Sequence, residues 1–444
     1  MSRKFFGTDG VRGQVGKDPM TADFALRLAS AAAQVLVPTG GTVVIGKDTR
    51  LSGYMFESAL EAGFVAAGAD VLLLGPLPTP GIARLTQEFD ADLGVVISAS
   101  HNAYGDNGIK FFDRSGSKLT DEVEREIEER LNTPAITLSS QDLGKAKRIE
   151  SARDRYQDFC TASMPKGTSL DGLKVVFDGA NGAGYKVGPR ALGALGAEVI
   201  PIGCSPNGKN INDGCGSTSP ELLRLTVPAV KADVGVALDG DGDRLVMADE
   251  RGELIDGDQL LYVLAMARHE QGNLQGPIVG TVMSNLGLEH ALLKRGIEFR
   301  RAKVGDRYVL EELRASGGVI GGETSGHVLV LDKATTGDGL VCALQLLAIL
   351  KESGKPLSEL VAGMPKYPQT MVNVRTETRM DPEQSTEIMQ AVASAEEELA
   401  DSGRVVLRAS GTEPVIRVMV EGQDAEQVVS LANRLASVVA AAAA

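Results

Sequence analysis

Three stretches of this chain repeat one order of strands and helices, and this repeat limits the fold more than any other feature. Each unit has a short apolar strand, a helix, a second strand, another helix and a third strand. The predicted first strands are 43–45, 174–177 and 278–282, the second 69–74, 197–202 and 297–300, and the third 93–97, 234–238 and 318–320. Strands that alternate with helices are typical of α/β proteins. The sequence therefore predicts three tandem α/β domains of similar topology, each with a mixed sheet.

The last part of the chain does not follow this plan. Residues 369–376 alternate like a strand, 382–402 are predicted as a helix with Asp381 as N-cap and Pro382 first, and strands at 404–407 and 415–420 precede a closing helix. This pattern predicts a smaller α+β domain with an antiparallel sheet. At 444 residues, several domains are expected. The predicted boundaries give domains at 1–153, 154–250, 251–367 and 368–444.

A polar loop follows the third strand of each repeated unit. The three loops are Ser98–Asn102, Asp239–Arg244 and Gly321–His327. Ligands of α/β sheets bind beyond the carboxyl ends of strands. We therefore expect the three loops to meet in one central cleft.

The second loop carries three carboxylates on alternate residues, Asp239, Asp241 and Asp243. Two carboxylates about 4 Å apart repel by about 4 kcal/mol at an effective dielectric constant near 20, so a cluster of three favours a bound cation. Oxygen ligands suit Mg²⁺ or Ca²⁺. Glu250 stands twelfth from Asp239, as in an EF-hand, but Arg244 occupies the sixth position, which that loop reserves for glycine. The loop is therefore predicted to bind Mg²⁺ at a strand end rather than to be a calcium loop or a solvated turn.

The first loop holds two candidate nucleophiles, Ser98 and Ser100, which spacing alone does not separate. A serine after a strand is more often a helix cap, but His101, Asn102 and Lys110 lie close in sequence. A serine hydroxyl needs a base or a metal to act as a nucleophile.

Near the C-terminus, Arg408–Arg417 has the composition of a phosphate-binding loop. It combines Ser410, Gly411 and Thr412 with an arginine at each end. The alternative is an ordinary hairpin with exposed arginines. The glycine-rich segments 6–13 and 46–50 are compatible with plain turns.

The composition of the chain restricts the kinds of molecule it is expected to bind. The formal net charge of −14 argues against a nucleic-acid surface. The longest apolar stretch, 341–350, is too short to cross a bilayer. Four widely spaced cysteines without a C-x-x-C pair favour reduced thiols. We expect a cytoplasmic protein with neither nucleic-acid nor membrane partners.

Four of these segments occur in the order typical of the α-D-phosphohexomutase superfamily, which the chain resembles over its whole length. They are Ser98–Asn102, Asp239–Arg244, Gly322–His327 and Arg408–Pro414. Segments 6–13 and 46–54 are similar to the bacterial branch that acts on amino sugar phosphates. Ala103, where many members have proline, and Thr324, where glutamine or methionine is common, depart from the pattern.

The resemblance implies four domains around one cleft, one Mg²⁺ and a phosphorylated serine. Ser100 matches the phosphoserine, and its phosphate completes a metal site with Asp239, Asp241 and Asp243. Arg12 and Lys110 match residues with acid–base or transition-state roles, and Arg244 adds positive charge. The implied substrate contacts are Gly305, Asp306, Arg307, Glu323, Ser325, His327, Arg408, Ser410, Gly411, Thr412 and Arg417.

The implied reaction converts glucosamine 6-phosphate into glucosamine 1-phosphate, a precursor of UDP-N-acetylglucosamine and the cell wall. Phospho-Ser100 would give its phosphate to O1, form a bound glucosamine 1,6-bisphosphate and recover phosphate from O6. A phosphate donor would prime Ser100, a hinge near 364–369 would close the fourth domain, and relatives imply a homodimer. The alternatives are a phosphomannomutase or phosphoglucomutase, a metal-dependent serine phosphatase, and a non-catalytic sugar-phosphate binding protein. The phosphatase is disfavoured because hydrolysis needs no second phosphate site.

Overall fold

Four β-sheets organise the chain in a computed structural model that describes residues 4–7, 9–377, 380–409 and 414–443. The first sheet has six strands in the order β1-β5-β4-β2-β3-β6. Its strands are β1 Val11–Gln14, β2 Gly41–Lys47, β3 Ala69–Pro76, β4 Leu93–Ile97, β5 Asp106–Asp113 and β6 Ala146–Arg148. Its helices are α1 Ala22–Leu36, α2 Ser52–Ala66, α3 Thr79–Glu88 and α4 Asp121–Arg130.

The second sheet follows a connecting helix, α5 Ala152–Ala162, and has the order β11-β10-β9-β7-β8. Its strands are β7 Lys174–Asp178, β8 Glu198–Ile202, β9 Val234–Leu238, β10 Leu245–Ala248 and β11 Leu254–Ile255, with helices α6 Val187–Ala194 and α7 Glu221–Ala229. Its edge strand β11 lies beyond residue 250, so the sheet extends past the predicted boundary there.

The third sheet has the order β13-β12-β14-β15. Its strands are β12 Ile278–Thr281, β13 Phe299–Ala302, β14 Ile320–Gly322 and β15 Val328–Val330. Its helices are α8 Gly257–Glu270, α9 Leu286–Leu293, α10 Asp306–Ser316, α11 Gly339–Ser353 and α12 Leu357–Leu360. The prediction of a third strand at 318–320 was two residues early.

The fourth sheet is antiparallel, as predicted, with the order β16-β18-β17. Its strands are β16 Gln369–Arg375, β17 Gly403–Ala409 and β18 Val415–Gly422, and its helices are α13 Thr386–Leu399 and α14 Ala425–Ala442. The predicted helix at 382–402 was wrong at both ends. Asp381 caps only a 3₁₀ turn, Pro382–Gln384. Ser385 has an extended backbone, which separates this turn from α13, and its side chain caps α13. A second 3₁₀ turn, Ala400–Ser402, follows α13.

The first three sheets share one arrangement of four strands, which confirms the predicted repeat of mixed α/β units. The second, first and third strands are parallel neighbours, and a fourth strand runs antiparallel beside the third: β3-β2-β4-β5, β8-β7-β9-β10 and β13-β12-β14-β15. The sequence analysis did not identify the fourth strands. Each polar loop therefore joins a third strand to its antiparallel neighbour.

The first three units share a hydrophobic core that does not extend into the fourth unit. One continuous buried cluster runs through the first three units and includes Leu74, Phe177, Leu238 and Leu344. The fourth unit has a separate core in which β18 and α14 meet. No described helix is both long enough and apolar enough to cross a bilayer.

Candidate active site

The three polar loops meet around one cavity of about 720 Å³. Arg408, from the fourth unit, also lines this cavity, so all four units contribute. Two of the loops are joined through their backbones: the N–H of Leu245 donates to the carbonyl of Gly326 at 2.9 Å, beside an antiparallel bridge between Arg244 and His327.

Most of the predicted site residues line the cavity. They are Arg12, Ser100, Asp243, Arg244, Gly305, Asp306, Arg307, Glu323, Ser325, His327 and Arg408. Lys110, Asp239 and Asp241 are buried and contact this lining. The predicted contacts Ser410, Gly411 and Thr412 lie outside the described residues.

Ser100 and Ser98 occupy different environments. The Ser100 hydroxyl donates to Asp239 Oδ2 at 2.6 Å and lies 3.3 Å from His101 Nδ1. The fully buried Ser98 hydroxyl donates to Asp48 Oδ2 at 2.6 Å and accepts from the Ser100 N–H at 2.9 Å. Ser98 thus supports the loop, whereas Ser100 faces the carboxylate cluster.

The carboxylates of Asp239, Asp241 and Asp243 are buried, and ligand atoms from all three lie within 4.8 Å of one another. Burial raises the pKa of Asp239 well above its ordinary value, and the charges of Asp243 and Asp241 raise it further. Asp241 Oδ1 and Asp243 Oδ1 have no hydrogen-bond partner in the described part of the chain. Such a set of buried oxygens fits a hard divalent cation. Glu250 instead accepts from the Ser358 hydroxyl at 2.6 Å and is not in this cluster.

The carboxylate loop, Asp239–Arg244, packs directly against the serine loop, Ser98–Asn102. A Cβ at Gly240 would lie 2.6 Å from the Ser100 carbonyl oxygen, so this approach requires glycine. From the end of the first sheet, Thr79 donates to Asp241 Oδ2 at 2.7 Å. These contacts fix the position of one loop relative to the other.

Lys110 supplies a buried positive charge beside the carboxylates. Its Nζ lies 2.9 Å from Asp241 Oδ2 and 2.7 Å from Asp9 Oδ2. Burial alone would lower the pKa of Lys110, but Asp241 and Asp9 outweigh burial and raise it. Lys110 is therefore a fixed ammonium at neutral pH.

A row of ion pairs continues from Asp9 across the cleft. Lys118 Nζ lies 2.6 Å from both Asp9 Oδ1 and Asp306 Oδ2, and His327 Nε2 lies 3.5 Å from Asp306. Burial lowers the pKa of His327, but Asp243 and then Asp306 outweigh it and raise this pKa to about 9. The row joins the first unit to the third.

The imidazole of His101 differs in charge from that of His327. Burial, followed by the charges of Arg244 and Arg12, lowers the pKa of His101 to about 4. His101 is therefore neutral next to the Ser100 hydroxyl, and His327 is a cation across the cavity.

The third polar loop, Gly321–His327, is fixed by hydrogen bonds to neighbouring segments. Glu323 Oε1 accepts from the Gly305 N–H at 2.9 Å, and Thr324 donates its hydroxyl to buried Asp258 at 2.7 Å. Ser325 lines the cavity beside them. The departure at Thr324 thus has a structural consequence, a hydrogen bond to α8.

In the fourth unit, Arg408 and Arg417 stand directly opposite each other on β17 and β18. Like charges in this relation repel, so the pair suits an anion between or beside them. Arg417 is exposed and is not among the described residues that line the cavity.

Sequence reasoning missed several residues that support this site. Asp9 lies in a segment that the analysis singled out, but only Arg12 was assigned there. Thr79 and Lys118 stand in no recognisable motif. Asp48 and Arg50 lie in a segment that was considered compatible with a plain turn and similar to the bacterial branch, but neither residue was assigned a role.

Comparison with known proteins identifies the family. Profiles described as "Phosphoglucomutase/phosphomannomutase", alpha/beta/alpha domains I, II and III and C-terminal domain, match residues 3–136, 154–252, 256–367 and 371–438. The chain is 56% identical over 441 residues to "Phosphoglucosamine mutase 1" of Shewanella amazonensis, covering 99% of each chain.

Solved structures show the same fold. A phosphoglucomutase/phosphomannomutase family protein from Burkholderia thailandensis matches with a TM-score of 0.83 and 26% identity, over 99% of this chain and 97% of that one. N-acetylphosphoglucosamine mutase of Aspergillus fumigatus, solved in complex with GlcNAc-6P and magnesium, matches with a TM-score of 0.69 and 17% identity, over 100% and 96%. From the family profiles and the full-length relative, the chain belongs to the phosphoglucomutase/phosphomannomutase family of the α-D-phosphohexomutase superfamily.

Proposed function

We propose that this protein is an intramolecular phosphotransferase that converts glucosamine 6-phosphate into glucosamine 1-phosphate, with Ser100 as the phosphoryl carrier. The observation that carries the proposal is the Ser100 hydroxyl, 2.6 Å from the buried carboxylate cluster at a cavity lined by all four units. The amino sugar is favoured by the 56% identity to a phosphoglucosamine mutase.

The carboxylates of Asp239, Asp241 and Asp243, with the phosphate on Ser100, are the proposed ligands of Mg²⁺. Their shared position and the two unpartnered oxygens support this assignment. When bound, Mg²⁺ would supply positive charge that neutralises the phosphoryl oxygens and polarises the phosphoserine.

The cations around Ser100 have a matching role. In the first half-reaction the bond between phosphorus and Ser100 Oγ breaks, a bond to sugar O1 forms, and the proton that O1 loses is balanced by the proton that Ser100 Oγ gains as it becomes a hydroxyl. In the second half-reaction the bond between phosphorus and O6 breaks, the bond to Ser100 Oγ forms again, and O6 gains the proton that the serine hydroxyl loses. Lys110 remains charged, so it stabilises the developing negative charge rather than removing a proton. Arg12 and Arg244 line the same part of the cavity, and Arg244 Nε has no hydrogen-bond partner among the described residues.

The remainder of the cavity would hold the non-reacting end of the substrate. Arg408 and Arg417, with Ser410, Gly411 and Thr412, are proposed to bind that phosphate in both orientations, while Glu323, Ser325 and His327 bind the sugar. Gly305, Asp306 and Arg307 would orient it. The bound glucosamine 1,6-bisphosphate must turn without loss, so closure of the fourth domain about residues 364–369 is part of the proposal.

The setting of the enzyme is part of the same proposal. We place it in the cytoplasm, as a homodimer that takes its first phosphate from a donor. Unpaired thiols at all four cysteines support a reducing compartment.

The test combines labelling with product analysis. Wild-type, Ser100→Ala and Ser98→Ala proteins are incubated with labelled donor, then with the 6-phosphates of glucosamine, glucose and mannose side by side. Label should appear on Ser100, and mutase activity should vanish in Ser100→Ala but persist in Ser98→Ala. Glucosamine 1-phosphate should form fastest.

The other outcomes identify the alternatives. Faster turnover of glucose or mannose 6-phosphate would make the protein a phosphoglucomutase or phosphomannomutase. Release of inorganic phosphate without isomerised sugar would make it a phosphatase. Label on Ser98 and none on Ser100 would sink the carrier assignment.

A further inference from the structure

The segment Gly46–Arg50 has no part in the proposed chemistry, yet it lies directly beneath the serine loop. Gly46 and Lys47 are the last residues of β2, and Asp48–Arg50 follow its carboxyl end. The parallel neighbour of β2, strand β4, ends at the same edge of the sheet. The N–H of Asp48 donates to the carbonyl of Ile97 at 3.0 Å. The sheet thus brings Asp48 and Arg50 under Ser98 and Ser100.

Arg50 is fully buried, and its guanidinium is saturated with hydrogen bonds. Nε donates to Asp48 Oδ2 at 2.8 Å. The two Nη atoms donate to the backbone carbonyls of the serine loop: Ser100 at 2.9 Å, Asn102 at 2.8 Å, Ala103 at 2.5 Å and Asp106 at 3.2 Å. All five N–H donors of the side chain are used, and four of them fix the loop that carries Ser100.

The loop needs such support because its conformation is unfavourable. Ser100 has a φ of 49°, in the left-handed region that a residue with a side chain adopts only under constraint. Ser98 accepts from its N–H, and Asn212 of the second unit donates to its carbonyl at 2.9 Å. Both ends of the residue are therefore tied, and the hydroxyl is aimed at Asp239.

We propose that Arg50, oriented by Asp48, is a positioning residue that holds Ser100 in this left-handed conformation and so sets the rate of phosphoryl transfer. The inference rests on the proposed function, in which Ser100 carries the phosphoryl group. Lysine at position 50 would keep the charge beside Asp48, but a single ammonium cannot reach four carbonyls spread along the loop. Misplacement of a reacting group by about 1 Å costs about 10²-fold in rate.

The experiment compares Arg50→Lys with Arg268→Lys in the full-length enzyme. Arg268 pairs with Asp332, and neither of them lines the cavity. Arg50→Lys should lower kcat by about 10²-fold. KM for the sugar phosphate should stay within about 3-fold of the wild-type value, because the residues proposed to bind the sugar and its second phosphate are unchanged. Arg268→Lys should change neither.

Two further measurements separate positioning from a general loss of fold. Guanidine at millimolar concentration should restore part of kcat in Arg50→Ala, a rescue that a purely structural defect would not show. Asn212→Ala, which removes one tie to the Ser100 carbonyl and leaves Arg50 intact, should lower kcat by about 10-fold with little change in KM. If Arg50→Lys does not fold, the Asn212→Ala result decides.

The idea is overturned if Arg50→Lys turns over at the wild-type rate. It is equally overturned if its loss of kcat equals its unfolded fraction, or if Asn212→Ala keeps full kcat. Failure of the underlying function would look different: wild-type protein would then carry no label on Ser100. A labelled wild type with an unaffected Arg50→Lys would refute the positioning role alone.

Discussion

The serine loop and the carboxylate loop are held in a different way from strands β17 and β18 of the fourth unit. The first two loops rest on a continuous hydrophobic core and are tied by buried side chains such as Arg50, Thr79 and Lys110. The fourth unit has its own core and meets the third through a small polar contact. In that contact, buried Glu421 accepts from the Leu286 N–H of the third unit at 2.8 Å, and Arg404, which pairs with Glu421 within the fourth unit, donates to the Ser284 carbonyl at 2.6 Å.

This difference matches two needs of the proposed reaction. The carrier serine and the metal ligands must keep one geometry, since transfer depends on alignment within a fraction of an ångström. The proposed phosphate-binding residues Arg408 and Arg417 must release and rebind a phosphate, which is easier on a unit that is attached through local polar contacts. Three substitutions test this contrast.

The largest effect is expected at the rigid centre. Asp241→Asn removes a charge that faces both Thr79 and Lys110, and kcat should fall by about 10³-fold with weaker Mg²⁺ binding by calorimetry. The fold should persist, because Lys110 keeps Asp9 as a partner. Asp332→Asn, outside the cavity, is the control. A kcat within 10-fold of wild type would show that this carboxylate is not part of the reaction centre.

The second effect is expected at the polar contact. Glu421→Ala leaves the Leu286 N–H without its acceptor and Arg404 without its carboxylate, and it should destabilise the fourth unit together with its attachment to the third by about 3 kcal/mol. Limited proteolysis near residues 364–369 should accelerate and KM should rise, while the melting of the first three units is unchanged. Glu398→Ala, which breaks an exposed pair with Arg434 on the outer helices, should do none of this. Unchanged proteolysis would mean that the contact does not hold the unit.

The smallest effect concerns Asp258, which accepts from Thr324 of the loop Gly321–His327 and from the Asn285 N–H next to the polar contact. Burial, followed by the charge of Asp256, raises the pKa of Asp258 to about 6 from an ordinary 3.8. Between these values the folded protein binds a proton more tightly than the unfolded chain, so the unfolding free energy falls as pH rises and stays lower above pH 6.

Asp258→Asn cannot titrate, so it should lack this loss. The stability of wild type relative to the variant should drop by about 2 kcal/mol between pH 4 and 7, measured by urea unfolding. The same comparison with Asp332→Asn should be flat across this range. A flat difference for Asp258→Asn would show that the carboxyl is not buried as described.

Local patterns predicted much of this molecule. Alternating strands and helices gave the three mixed units, and the spacing of Asp239, Asp241 and Asp243 predicted a compact carboxylate cluster. Many of the residues that motif order singled out line the cavity, whereas their roles stay predictions. These features depend on neighbours in sequence, which periodicity and turn chemistry reveal.

Contacts between distant residues were not predictable in the same way. Lys118 meets Asp306 across 188 positions, and no pattern in either segment indicates the pair. Spacing left Ser98 and Ser100 equivalent; the family resemblance pointed to Ser100, and the physical distinction comes from the sheet, which places Asp48 beside Ser98. The helix predicted from Pro382 failed because Ser385 competes as a cap, a choice set by local hydrogen bonds rather than by propensity.

The backbone bridge between Arg244 and His327 joins two loops of different units into one hydrogen-bonded segment of antiparallel structure. The amide of Leu245 is protected only while the carbonyl of Gly326 stays in place, so hydrogen exchange in the carboxylate loop and in the loop Gly321–His327 should follow a single opening event. Any ion that orders the first loop then also slows the exchange of the second. Metal occupancy of the carboxylate loop would thus be measurable from the exchange of a second loop, which contributes none of the proposed metal ligands.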